Sequence, residues 1–199
     1  MEAATDRSGW LLLSVTTGKE ASLRVYVWRQ LRKLGAVYLH QSVCLLPDLP
    51  QVRTHLRPVL ARIHGQGGRA RLISVRIGGQ EHQALVDEQQ GHRDTEYGEV
   101  VERAPQFLDE IAMETARGRA TYAEVEESEA DLERFEKWLA AIAGRDYFHA
   151  PRGADARSAV QTCREALAAF EVAALLADNT DEDSTALAGP DLRLVEDQP

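Results

Sequence analysis

The sequence predicts an α+β protein in which a small sheet domain precedes a helical region and an acidic tail. Over residues 9–78, short apolar runs alternate with segments in which apolar residues recur every three or four positions, as on one face of a helix. Over residues 80–177, this helical spacing is almost the only pattern. Residues 178–199 have no period. At 199 residues, with 44% hydrophobic and 28% charged residues, the chain is long enough for one sizeable core or two small domains.

The first two predicted elements are a strand and an amphipathic helix. Residues 10–15 form a short apolar run that is closed by two threonines and a glycine, which is typical of a buried strand. Leucine and valine then recur at spacings of four, four and three, which predicts a helix over residues 21–34. Gly35 supplies the C-terminal stop of this helix.

Three further strands are predicted before residue 78. Two short apolar runs, at residues 36–40 and 43–46, are separated by Gln-Ser and indicate a strand pair with a tight connection. Residues 70–77 alternate basic and apolar side chains, as a half-exposed strand does.

A second helix lies between the strand pair and the last strand. Asp48 is predicted as its N-cap and Pro50 lies in its first turn, where proline is tolerated. Pro58 predicts a kink or a break because it lacks a backbone donor. The order strand, helix, strand, strand, helix, strand is the ferredoxin-like pattern, in which two helices cover one face of a four-stranded sheet. A winged helix, with the strand pair as its wing, is the alternative.

The region after residue 79 is predicted to be helical. A weak segment covers residues 80–90, a stronger one covers residues 97–117, and a capping box at residues 121–124 begins another helix. A last helix begins near Asp155. Arg145 and Asp146 are interpreted as an ion pair that fixes a helix end. The tail at residues 178–199 holds seven acids and one arginine, which predicts disorder.

Charge is unevenly distributed along the chain. The net charge is −9, but residues 1–95 carry +5 and residues 96–199 carry −14. Eleven basic residues and only two acidic ones lie between Lys19 and Arg76. Because the Debye length is about 8 Å at physiological salt, a local basic face can attract a polyanion although the whole chain is acidic. A basic front half that docks on the acidic back half fits the same pattern, and this alternative stays open.

The two helices of the sheet domain carry most of this basic charge. Their basic residues are candidate contacts to DNA phosphates, because lysine and arginine neutralise phosphates and release counterions. The candidates are Arg24, Arg29, Arg32, Lys33, Arg53, Arg57 and Arg62. Trp28 lies among them and is interpreted as a core residue rather than a stacking platform.

The sequence contains no motif for catalysis, metal binding or a cofactor. The six histidines lack a recognised ligand spacing, and two cysteines are too few for a zinc site or a disulfide scaffold. Cys44 is interpreted as inert packing. No apolar run is long enough for a membrane span, and no secretory signal is visible. We therefore expect a cytoplasmic, non-enzymatic protein that uses neither metal nor cofactor.

Four stretches resemble the N-terminal domain of the ChrB family of chromate-resistance proteins, over roughly residues 9–177. The stretches are WLLLS at 10–14, LRVYVWRQL at 23–31 with LGA at 34–36, SVCLLP at 42–47 and RDYF at 145–148. The resemblance implies a cytoplasmic regulator that binds DNA and controls a chromate-efflux operon. Full-length members of the family carry a further C-terminal domain, in whose place this sequence has the acidic tail, so chromate sensing stays open.

The front half also resembles the ferredoxin-like domain shared by PaaX-type repressors and the CRISPR spacer-acquisition endoribonucleases. Those nucleases hold a divalent metal through an acidic residue at the end of the first strand. Here that strand ends in Ser-Val-Thr-Thr at residues 14–17, without a carboxylate. The resemblance therefore does not extend to metal-dependent cleavage.

We expect a promoter-binding transcriptional regulator that acts as a homodimer, with an oxyanion such as chromate as its effector. Dimerisation is expected from the exposed sheet edges and the long amphipathic helices. One alternative is a protein-interaction module without DNA binding. Another is an oxyanion-handling enzyme such as a chromate reductase, for which no flavin, nicotinamide or thiol motif is present.

Overall fold

Four strands form one antiparallel sheet in the computed structural model, which describes residues 9–117 and 122–187, with side chains as far as residue 176. The strands are β1 (Gly9–Thr16), β2 (Val37–His40), β3 (Val43–Pro47) and β4 (Arg69–Arg76). Their order is β2-β3-β1-β4, and both neighbours of β1 run antiparallel to it. This order confirms the ferredoxin-like arrangement and excludes the winged helix, because the β2–β3 pair lies within the sheet.

Helices α1 (Ala21–Lys33) and α2 (Pro50–Gly65) cover one face of the sheet. Side chains alternate along a strand, so every second residue of β1 and β3 faces these helices. The buried members of this core are Leu11, Leu13, Cys44 and Leu46 of the strands, Leu23, Val27 and Leu31 of α1, and Val52, Leu56, Val59 and Ile63 of α2. Each large aliphatic side chain buried here contributes about 1.5–3 kcal/mol to stability.

The other face of the sheet has a smaller core near the start of β1. Trp10 packs there with Val37 and Leu45, and its ring stacks on Phe148 at a centroid distance of 5.5 Å. The indole nitrogen of Trp10 donates a hydrogen bond of 3.1 Å to Nδ1 of His82. His82 lies in the first turn of the helix that follows β4, so this second core packs the start of that helix against the sheet.

Two details of α2 differ from the sequence prediction. Leu49, not Asp48, is its N-cap, and no side chain caps the helix. The Asp48 carboxylate instead binds the Arg53 guanidinium, which competes for the same oxygens. Pro58 lies inside α2 without breaking it. Pro58 has no N–H, so one backbone carbonyl in the preceding turn lacks its helical partner. Because Pro58 is on the exposed side of α2, water can bind that carbonyl.

The rest of the described chain consists of three helices: α3 (Gly79–Ala116), α4 (Tyr122–Ala143) and α5 (Gly153–Leu187). The two segments predicted within residues 80–117 are one continuous helix. The residue predicted to cap α4, Thr121, lies outside the described residues. Residues 178–187, assigned by the sequence to a disordered tail, are helical, and residues 188–199 lie outside the described residues. No helix in the described ranges is long and apolar enough to cross a membrane.

The chain divides into two compact units that do not follow the predicted boundary at residue 79. Among the described residues, the first unit comprises 9–98 and 140–154, and the second comprises 99–117, 122–139 and 155–187. The first therefore contains the sheet and the front part of α3. Within the second, buried side chains such as Phe107 and Phe170 form the interior.

Segment 140–154 is tied to the turn after α1. The Tyr147 hydroxyl donates a hydrogen bond of 3.2 Å to the Leu34 carbonyl. From α3, the Gln89 amide donates to the carbonyl of Gly35. Together these bonds explain why a distant part of the sequence belongs to the sheet unit.

Arg145 and Asp146 stabilise this junction, but not by pairing with each other as predicted. Arg145 forms an ion pair of 2.9 Å with Glu96, which also lies 2.7 Å from the Arg93 guanidinium. The Asp146 carboxylate accepts a hydrogen bond of 3.2 Å from the Tyr97 hydroxyl. Both residues point to partners on α3, which sequence adjacency could not reveal.

Candidate nucleic-acid interface

Helix α1 exposes all four of its basic side chains. Its apolar stripe faces the sheet, and a helix turns by about 100° per residue, so the positions between stripe residues face solvent. The exposed basic residues are Arg24, Arg29, Arg32 and Lys33. Arg24 is set apart on one flank, where its guanidinium donates a hydrogen bond of 3.2 Å to the Gly18 carbonyl.

Trp28 is 47% exposed, so its interpretation as a core residue is wrong. The guanidinium of Arg32 lies over its indole ring, 5.3 Å from the centroid. Trp28 is on the flank of α1 that faces β2, and β2 is only four residues long. The helical period places Trp28 beside the apolar stripe, but the period does not show whether a neighbouring element covers it.

Arg53 on α2 is engaged by the protein itself. Its guanidinium forms an ion pair of 2.5 Å with Asp48 and donates a hydrogen bond of 2.6 Å to the Ser74 hydroxyl on β4. The hydrogen bond from Arg53 holds the pKa of the Asp48 carboxyl below its ordinary value, and the pKa of Arg53 is raised by the same contact. Of the seven predicted phosphate contacts, Arg53 is therefore the least available to an external anion.

The other two basic residues of α2 have different surroundings. The Arg62 guanidinium lies 3.9 Å from the centroid of the Tyr26 ring on α1, which links the two helices by a cation–π contact. Arg57 is exposed. It follows Arg53 by one helical turn, so it lies on the flank that faces β4 rather than on the α1 side.

Positive charge on these helices is largely unneutralised. Within the described part of the chain, no carboxylate comes within ion-pairing distance of Arg24, Arg29, Arg32, Lys33, Arg57 or Arg62. The α1 and α2 surface that carries these six residues is called the basic helix surface below.

In the second unit, several basic residues form ion pairs with neighbouring carboxylates. Arg134 pairs with Asp131, Lys137 with Glu133 at 2.6 Å, and Arg164 with Glu136 at 2.5 Å. These pairs are typical of an exposed helical surface with mixed charge. Several basic residues of the second unit thus have a carboxylate partner, whereas six of the seven predicted phosphate contacts on α1 and α2 have none among the described residues.

Two arginines of β4, which the sequence analysis did not single out, do not extend the basic helix surface. Arg69 and Arg71 stand opposite Thr16 and Ser14 of β1. Because Leu72 packs in the core under the helices, the alternation along β4 turns both arginines to the other face of the sheet.

No group of three or more His, Cys, Asp or Glu residues among the described residues is placed to hold a metal ion. Cys44 is 1% exposed, and burial raises the pKa of its thiol to about 12. A thiol in this state is a poor nucleophile, which is consistent with packing.

Fold and surface together define a ferredoxin-like domain that carries unneutralised basic helices and is extended by a helical region. The family described as Protein ChrB, N-terminal, matches residues 24–179 of this sequence. The chain therefore belongs to the ChrB family, as its resemblance predicted.

A curated relative is Protein ChrB of Cupriavidus metallidurans. It is 29% identical to this chain over 161 residues, which cover 79% of this chain and 45% of that protein. The chain thus matches less than half of the length of this relative.

Proposed function

We propose that this chain is the DNA-binding part of a cytoplasmic, non-enzymatic transcriptional regulator that controls a chromate-resistance operon. The observation that carries the proposal is the basic helix surface, where six exposed cations have no carboxylate partner among the described residues. Membership of the ChrB family supports the association with chromate resistance.

Phosphate binding accounts for this surface better than ordinary solvation does. Surfaces that only need solubility mix both signs of charge, as the second unit does. A duplex presents one phosphate charge per about 1.7 Å of its axis, and lysine or arginine contacts release condensed counterions. Three of the unpaired cations, Arg29, Arg32 and Lys33, follow one another within two turns of α1, so they can engage neighbouring phosphates.

The test is DNA affinity across a salt series. Labelled duplex carrying the promoter of the protein's own operon, and an unrelated duplex of equal length, are titrated by fluorescence anisotropy. For the double variant Arg29→Ala and Arg32→Ala, we expect the slope of log affinity against log salt to become shallower by about 0.9 for each phosphate that the variant no longer neutralises.

The matched control is the double variant Arg134→Ala and Lys137→Ala. It removes the same number of charges from α4, where both residues already pair with carboxylates. We expect it to leave the salt slope unchanged. Equal slopes for wild type and the α1 double variant, or the same change in the α4 control, would contradict the proposal.

Chromate is added to the same titrations to test an oxyanion effector. If chromate is the effector, it lowers the affinity for the promoter duplex at constant ionic strength, whereas sulfate at the same charge does not. Equal effects of the two anions would show screening only and would remove chromate from the proposal.

A protein-interaction module without DNA binding is the second candidate. It is favoured by the charge asymmetry, since residues 96–199 carry −14 and the basic helix surface is a complementary target for an acidic partner. Absence of binding to either duplex at low salt would support this candidate.

A further inference from the structure

A concave pocket of about 1100 Å³ opens between α1 and the turn that joins β2 to β3. We propose that this pocket binds a small organic anion: an apolar body that carries a carboxylate, sulfonate or similar group. Its lining includes Leu13, Val15, Arg24, Val27, Trp28 and Tyr38. The site lies within the sheet unit and needs no other part of the chain.

Apolar side chains make up most of the pocket. The floor is formed by strand residues such as Leu13 and Cys44, which also belong to the main core. Trp28 and Tyr38 form the walls and remain 47% and 37% exposed. Ligand pockets typically combine such a lining with a few polar groups that fix orientation, and this volume is of the size that holds a drug-sized molecule.

β2 is an edge strand of the sheet, and its residues Tyr38 and His40 line the pocket together with Val27 and Trp28 of α1. Tyr38 stands opposite Cys44 in the β2–β3 register, so it lies on the same face of the sheet as the main core. The register of the β2–β3 ladder shifts between Tyr38 and His40. The Tyr38 ring therefore extends the core face of the sheet but remains partly open to solvent.

The charge of the lining selects an anion. No aspartate or glutamate lines the pocket, whereas Arg24 and His40 do. The Arg24 guanidinium gives one of its five N–H donors to the Gly18 carbonyl, which fixes the side chain and leaves four donors for a ligand. An anionic group at this position gains charge-assisted hydrogen bonds while the rest of the ligand lies on the apolar floor.

Two titratable groups of the lining stay neutral near physiological pH. Burial raises the pKa of Tyr38 and of Cys44 to about 12 each. Neither group therefore repels an anion. A bare tetrahedral oxyanion fits this pocket poorly, because it would lose hydration against apolar side chains and find one guanidinium.

The inference goes beyond the proposed function and does not depend on it, because binding is measured without DNA. The probes are 8-anilinonaphthalene-1-sulfonate and N-phenyl-1-naphthylamine, which share an apolar body but differ in the sulfonate. We expect saturable binding of the sulfonate probe with one site per chain.

Three variants locate the site. Arg24→Met is expected to lower the affinity for the sulfonate probe by about tenfold, because the substitution removes a charge-assisted hydrogen bond. The affinity for the neutral probe is expected to change by no more than about twofold. Ser42→Phe, which adds a bulky ring to the pocket lining, is expected to weaken the binding of both probes. Arg57→Met, on α2 and outside the lining, is the matched control and is expected to change neither.

Each outcome decides the proposal. Equal affinity of wild type for the two probes, equal effects of Arg24→Met and Arg57→Met, or the absence of saturable binding would overturn it. Should Arg24→Met not fold, as judged by circular dichroism, Ser42→Phe and the comparison of the two probes on wild type decide in its place.

Discussion

Gly35 and Gly67 occupy equivalent places at the ends of α1 and α2. Each has a left-handed backbone, with φ of +68° and +75°. After α1, the N–H of Ala36 donates to the Leu31 carbonyl, and after α2 the N–H of Gly68 donates to that of Ile63. These bonds are those of a Schellman motif, in which a glycine satisfies the last carbonyls of a helix.

The two glycines share a backbone conformation but differ in the space available for an added Cβ, so substituting each by alanine separates backbone strain from steric contact. A Cβ at Gly35 would lie 2.8 Å from the Arg93 guanidinium, whereas a Cβ at Gly67 would meet nothing within 4 Å. We expect Gly67→Ala to cost about 1 kcal/mol for backbone strain alone, and Gly35→Ala to cost about 2–3 kcal/mol because Arg93 must also move. Urea unfolding measures both, and equal losses would contradict the role of Arg93.

The buried thiol of Cys44 predicts a pH dependence of stability. Its pKa is raised from 9.0 to about 12, so above pH 9 the unfolded chain releases this proton while the folded chain retains it. Stability therefore falls as pH rises from 9 towards 12, by at most about 1.4 kcal/mol per pH unit. We expect Cys44→Ala to show a smaller loss between pH 9 and pH 10 in urea unfolding. Parallel losses in the two proteins would contradict a protected thiol.

At the scale of elements, α1 and α2 are joined by the contact of Arg62 with Tyr26. We expect a double-mutant cycle of Arg62→Met and Tyr26→Leu to give a coupling energy of about 0.5–1 kcal/mol, the usual range for an exposed cation–π pair. Urea unfolding of the four proteins measures it. Additive effects of the two substitutions would show that the ring and the guanidinium are only neighbours.

The limits of sequence reasoning are also clearest for elements. Both helices of the sheet domain could be predicted, because a period of 3.6 in the apolar residues needs no knowledge of their partners. The capping of α2 could not be predicted. The Asp48 carboxylate can either cap the helix or bind an arginine, and the position of Arg53 decides between the two. The exposure of Trp28 could not be predicted either, because it depends on which elements pack beside α1.

For the whole molecule, the two edges of the sheet have features that oppose strand pairing. The β4 edge carries Arg69, Arg71 and Arg76, and the β2 edge is short, with a shift in its pairing register. Both features disfavour edge-to-edge association. If the proposed homodimer forms, we therefore expect it to use helical surfaces.

Light scattering tests this part of the proposal. We expect about twice the chain mass of 22.1 kDa at tens of micromolar. Mass independent of salt would agree with an apolar helical contact, because salt screens charge pairs but not buried apolar area. A monomeric mass over the whole concentration range would refute the dimer.

The sequence by itself determined the order of strands and helices in the sheet domain, its basic character and the family of the protein. These depend on period, composition and motifs, which are local properties of the chain. Only the tertiary structure decided that Arg53 is neutralised, that Arg145 pairs with Glu96 and that a pocket opens beside Trp28. Each of these depends on which residues distant in sequence come within a few ångströms, and neither period nor composition contains that information.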